Sequence, residues 1–215
     1  MTKSIKRPQT FAEELVNSIT HAIGIPLGIV GLVVLIINAN NYGDAWHIFS
    51  VSVFGASMIF LYTASTIYHS TSKVRLKFKL NIIDHSAIFI LIAGTYTPFT
   101  LVTLRGAWGW SIFGVVWGLA IIGVVTKILF INRYRKVTAY LYLAMGWIIV
   151  IALKPLINAL PAGGLYLLIA GGLSYSVGVI FYQWKRLPFA HAIFHLFVLG
   201  GTVCHFFAVL LYVTV

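Results

Sequence analysis

Seven runs of apolar residues follow one another along the chain, each about the 20 residues that a helix needs to cross a hydrocarbon core. They cover Ala22–Asn38, His47–His69, Ile82–Leu104, Trp108–Ile131, Val137–Ile157, Gly163–Trp184 and Phe189–Val215, with short connections between them. This pattern predicts an all-α integral membrane protein, a single seven-transmembrane-helix bundle over residues 1–215 that leaves no room for a second domain. Within the runs, Gly94-Thr95-Tyr96-Thr97-Pro98 predicts a kink, because Pro98 removes a backbone donor that neighbouring hydroxyls can help replace. Gly171-Gly172 and Gly200-Gly201 predict close helix contacts.

Ahead of the first run, residues 10–21 change pattern. Thr10 followed by Glu13 has the form of a capping box. Phe11, Leu15 and Ile19 make an apolar stripe, with Glu13, Asn17 and His21 on another face. A short N-terminal interfacial helix is expected, with 1–21 as a cytoplasmic amphipathic lead-in and a break near Gly24 and Pro26. Lys3, Lys6 and Arg7 resemble the basic start of a signal peptide, but the run that follows has no small-x-small exit and reads as a retained span.

Composition strengthens the membrane assignment: 60% of the 215 residues are hydrophobic and 9% charged, where a soluble domain carries roughly a quarter charged. A net charge of +11 would suggest nucleic acid in a soluble protein; here it is a topology signal, and no nucleic-acid partner is expected. Lys3, Lys6, Arg7, Lys73, Arg75, Lys77, Lys79, Lys127, Arg133, Arg135, Lys136, Lys185 and Arg186 fall on one side, and only Arg105 and Lys154 on the other. The positive-inside rule then places the N-terminus in the cytoplasm and the C-terminus outside, in a multi-pass plasma-membrane topology. The single cysteine, Cys204, excludes an internal disulfide and reads as a small buried apolar residue.

The chemistry gathers at the cytoplasmic ends. His191 and His195 sit at i and i+4, on one face of the last span. Alone, such a pair fits either metal ligation or hydrogen bonding to neighbouring helices. Ser65 and His69 share a face at the end of the second span, and Asp84 lies near the start of the third. The inferred topology brings His69, Asp84, His191 and His195 to similar depth. Three histidines and a carboxylate at one level suit a catalytic zinc site, whose fourth position holds a water with its pKa lowered to about 7. Asp84 and His85 are about 100° apart on a helix, and Asp84 is read as the inward one. Cys204 and His205 lie about 14 and 15 Å beyond His195 along the helix, too far to join that pair. His205 is expected to be packed or hydrogen-bonded, His47 interfacial, and His21 either a cap or a partner of Asn17.

Glu13-Glu14…Asn17-Ser18-Ile19-Thr20-His21, Ser65-x-x-x-His69, Asp84 and His191-x-x-x-His195, in this order, resemble the hemolysin III family, the bacterial branch of the progestin and adipoQ receptors, related to alkaline ceramidases. The resemblance runs from Phe11 to the last span. It implies Zn²⁺ held by His69, His191 and His195, Asp84 holding the metal's water or acting as general base, and Ser65 hydrogen-bonding that water or a developing oxyanion. It further implies hydrolysis of a lipid amide or ester bond, with an acyl-lipid or ceramide-like membrane lipid as substrate. Two alternatives stand beside it: a non-enzymatic membrane-state sensor with structural zinc, and a cytolysin. A retinal protein is excluded, since the last span has no lysine for a Schiff base. A pore is poorly served by spans whose polar residues form no stripe through the full thickness.

Overall fold

The computed structural model describes residues 9–130 and 135–214. Of the basic residues in the charge bias, Lys3, Lys6, Arg7 and Arg133 lie outside the described residues, as do Ile131 and Val215 at the expected ends of two spans. Among the described residues, seven helical segments are long and apolar enough to span a membrane.

The first span is a pair. α1 (Phe11–Ala22) and α2 (Gly24–Tyr42) meet with a single turn residue between them. The capping box is present: Thr10 Oγ1 accepts from the Glu13 amide at 3.3 Å, and Glu13 Oε2 accepts from the Thr10 amide at 2.8 Å. Pro26 falls in the first turn of α2, where a missing N–H is tolerated. Gly24 allows the junction to press on α3 (Ala45–Ser70), because a Cβ there would lie 2.6 Å from the Tyr62 ring.

α4 (Val74–Pro98) begins eight residues before the expected Ile82, so Lys77 and Lys79 ride on its first turns rather than in a loop. Beyond Pro98 the chain continues as a π-helical turn, Phe99–Thr103. Around it Thr95, Thr97 and Thr100 donate their hydroxyls to the carbonyls of Leu91, Ala93 and Tyr96 at 2.8, 2.9 and 2.9 Å. The expected kink is therefore a π distortion wrapped by its own threonines.

α5 (Ala107–Phe130) forms the fourth span. The fifth is broken: α6 (Arg135–Gly146), a 3₁₀ turn (Ile148–Ala152) and α7 (Leu153–Ala159). Buried Tyr96 supports the break, its hydroxyl lying 2.9 and 2.8 Å from the carbonyls of Met145 and Gly146 while accepting from the Ile149 amide at 3.0 Å. Polar backbone freed within a membrane needs such a partner. No signal short of the tertiary contact marks Tyr96 for that role.

α8 (Ala162–Gln183) and α9 (Ala190–Tyr212) form the closing antiparallel pair. Gly171 admits the ring of His205, and a Cβ at Gly201 would lie 2.7 Å from the Tyr175 ring, so one glycine of each pair lets an aromatic ring approach more closely than a Cβ would allow. At the opposite end of the bundle from the basic clusters, Asp44 caps α3 and pairs with Arg105 at 3.0 Å. Hydrogen bonds with the His47 ring and its backbone amide, then with Arg105, hold the Asp44 carboxyl below the usual carboxylate range.

Candidate metal centre

Two helices supply the three expected ligands. His69 closes the last turn of α3, and His191 and His195 stand on the first two turns of α9. Each of the three offers a ligand atom within 4.8 Å of the others. Ring centroids are 5.0 Å apart for His69–His191, 5.1 Å for His69–His195 and 4.5 Å for His191–His195. The i, i+4 spacing in α9 thus converges on a residue 122 positions earlier in the chain, which the α3–α9 arrangement alone decides.

The surroundings come from α1. Its apolar stripe, Phe11, Leu15 and Ile19, faces outward, and its polar face, Glu13, Asn17, Ser18 and His21, is buried inside the protein. Glu14 Oε2 lies 2.7 Å from Nδ1 of His69, and its Oε1 3.0 Å from Nζ of Lys77. Nδ1 of His195 lies 3.1 Å from both the Asn17 carbonyl and Thr20 Oγ1. Glu13 Oε1 accepts the Phe189 amide at 3.0 Å. Phe189 caps α9 in the left-handed region, φ 56°, a strained conformation for a residue with a Cβ. The neighbouring acids therefore divide their work: Glu13 reaches α9, and Glu14 reaches the end of α3. Their positions among the chain's four acidic residues were the signal available in sequence, but their partners are distant in the chain.

His21 neither caps nor pairs with Asn17 by a hydrogen bond. It lies parallel to His195, ring centroids 3.6 Å apart, and edge-on to Tyr62 at 5.3 Å. Asp84 and His85 are both buried, with Asp84 Oδ2 3.4 Å from His85 Nδ1, which also meets the Asn81 carbonyl at 2.9 Å. Asp84 stands ten residues into α4, about 15 Å along its axis. His205 is hydrogen-bonded through Nε2 to the Leu168 carbonyl at 3.1 Å, as expected of a packed histidine. Cys204 is half-buried rather than buried, since α9 turns it partly outward.

A cavity of about 340 Å³ opens beside the histidines and runs into the apolar interior between α4, α6, α8 and α9. Ser65, Asp84, His191 and His195 line its polar end; His69 does not line it and sits toward α1. Along the rest of its length Leu91, Leu143, Leu156 and Leu168 dominate the wall. A polar group held at the histidines would have room for an apolar chain beyond it. The ligand set also fits a metal. Nε2 of His69 is buried with no hydrogen-bond partner, while Nδ1 is occupied by Glu14. An orphaned imidazole nitrogen beside two other imidazoles suits a cation that takes nitrogen ligands.

Residues 9–206 match the family described as haemolysin-III related. The chain belongs to that family. It is 53% identical over 203 residues to the hemolysin-3 homolog of Bacillus subtilis (strain 168), covering 94% of this chain and 95% of the relative. It is 49% identical over 214 residues to hemolysin-3 of Bacillus cereus, covering 99% and 98%. A more distant likeness, 29% over 206 residues and covering 93% and 84%, is to the human monocyte to macrophage differentiation factor. A haemolysin-III-related, seven-span, multi-pass membrane protein is what the chain and its bundle amount to.

Proposed function

We propose that this haemolysin-III-related protein is a zinc-dependent hydrolase of acyl-lipid amide or ester bonds, with His69, His191 and His195 as the metal ligands. The observation that carries the reading is the convergence of three histidine ligand atoms within 4.8 Å of one another, two of them on His191 and His195 at the polar end of an apolar cavity. Structural zinc sites are closed by four protein ligands and are commonly cysteine-rich; three histidines leave a position open, as catalytic sites do. When bound there, the metal would supply Lewis-acid polarisation of a carbonyl and a water of lowered pKa.

The chain's own groups take the remaining parts. Asp84, facing the same cavity, accepts a proton from the attacking water and returns it to the leaving amine or alcohol. Ser65, one turn before His69, faces the same cavity and donates its hydroxyl to the carbonyl oxygen as it gains charge. The apolar wall excludes bulk water and holds the acyl chain, and a 340 Å³ volume falls within the range of small-molecule sites.

The test is elemental analysis and lipid turnover on detergent-purified protein. About one zinc per chain, with zinc-dependent fatty-acid release from ceramides or acyl esters, supports the reading. Absence of metal after zinc loading sinks it. Zinc without turnover of any acyl-lipid moves the protein to the sensor reading, with the metal as a staple of the bundle.

The name of the Bacillus cereus relative favours a second reading, lysis of cells. Dye release from liposomes separates the two, because leakage through a pore persists in chelator, whereas leakage caused by lipid hydrolysis stops.

A further inference from the structure

Glu14 belongs to no ligand set, yet its Oε2 lies 2.7 Å from Nδ1 of His69, closer than the 3.1 Å contacts that hold Nδ1 of His195. The His69 side chain is 1% exposed and that of Glu14 21%, so the contact sits at the inner edge of a water-facing pair with Lys77 rather than in open solvent. Nδ1 must be the donor, since an ionised carboxylate can only accept. The Nε2 lone pair is thereby left free, and Nε2 is the buried atom without a partner.

We propose that Glu14 is the positioning residue of the metal centre. Its carboxylate fixes the tautomer and ring orientation of His69 and raises the basicity of Nε2, while α1 as a whole serves as the outer shell. This rests on the metal reading above. Carboxylate–imidazole–metal arrangements work in this way, and the loss of such an outer partner typically weakens metal binding 10–100-fold.

The rest of α1 acts to the same end. The Asn17 carbonyl and Thr20 Oγ1 hold Nδ1 of His195, and Glu13 anchors the Phe189 amide at the start of the helix that carries both remaining histidines. Two of three ligands thus take their orientation from a helix that contributes no ligand itself.

The experiment compares wild type with Glu14→Ala, Glu14→Gln and Lys77→Met, by zinc competition against a chromophoric chelator and by the visible ligand-field spectrum after cobalt(II) substitution. Size-exclusion profile and melting of the metal-free proteins report folding. Glu14→Ala is expected to weaken zinc binding about 10–100-fold and to shift the cobalt bands. Glu14→Gln, which keeps an acceptor without the charge, is expected to fall between it and wild type. Lys77→Met, which leaves the His69 contact in place, is expected to change affinity less than either. If Glu14→Ala does not fold, the near-isosteric Glu14→Gln carries the comparison. Wild-type affinity and an unshifted spectrum in the folded Glu14 variants overturn the proposal while the metal site stands. A wild type that binds neither zinc nor cobalt overturns the metal reading itself, and the proposal with it.

Discussion

The imidazoles of His21 and His195 are stacked, their centroids 3.6 Å apart and their planes within 12° of parallel. His21 is buried and neither of its ring nitrogens has a hydrogen-bond partner, so among the described residues its ring acts on His195 by packing. His21→Ala opens a void beside His195 and is expected to lower stability by about 2 kcal/mol or more, seen as a fall in melting temperature in detergent. His21→Phe, which keeps a flat ring, is expected to recover most of that loss. Equal destabilisation by the two would show that the imidazole nitrogens matter more than the stack.

Replacing a ligand is a harsher change than replacing its support. His69→Ala, His191→Ala and His195→Ala are each expected to weaken zinc binding beyond the roughly 100-fold reached by outer-shell changes. Elemental analysis after dialysis against a weak chelator reads this directly, and one variant retaining full zinc would remove that residue from the ligand set.

Asp84 and the histidines separate by function. Asp84→Asn is expected to keep zinc near the wild-type content while lowering the turnover of an acyl-lipid by about 10²–10⁴-fold, the range of general acid–base catalysis. Loss of zinc in Asp84→Asn would instead make the carboxylate a ligand.

Metal removal is expected to act on stability as well as on activity, because zinc held by the three histidines would bind the folded site alone. Free zinc at about 100 times its dissociation constant adds about 2.7 kcal/mol. A chelator should therefore lower the melting temperature of wild type and leave that of His191→Ala unchanged. Identical shifts in both would point to chelator acting elsewhere.

Gly24 tests how tightly the α1–α2 junction is held on α3. A Cβ at this position meets the Tyr62 ring at 2.6 Å, and Tyr62 in turn touches His21. Gly24→Ala is expected to cost about 1–3 kcal/mol by overpacking. Gly114→Ala, in α5 where a Cβ meets nothing within 4 Å, is the control and should be close to neutral in thermal melting.

The sequence by itself determined the number of spans, the family, the basic end of the bundle and the shared level of His69, His191 and His195. Those follow from hydrophobic runs, charge bias and i, i+4 spacing, all of which are local. It also carried the capping box of α1 and the distortion at Pro98, since both depend on residues three to five apart. Only the tertiary structure decided where the polar face of α1 points. An amphipathic stripe gives the angle between two faces of a helix, but not which of them meets protein and which meets lipid. In a membrane the apolar face turns outward, and Glu13, Glu14, Asn17 and His21 turn in against His69, Phe189 and His195. The break in the fifth span was equally hidden, because the hydroxyl that satisfies it belongs to Tyr96, some fifty residues away. Helix formation is written in neighbours along the chain; the support of the site is written in partners that only the packing of α1, α3, α4 and α9 brings within hydrogen-bond distance.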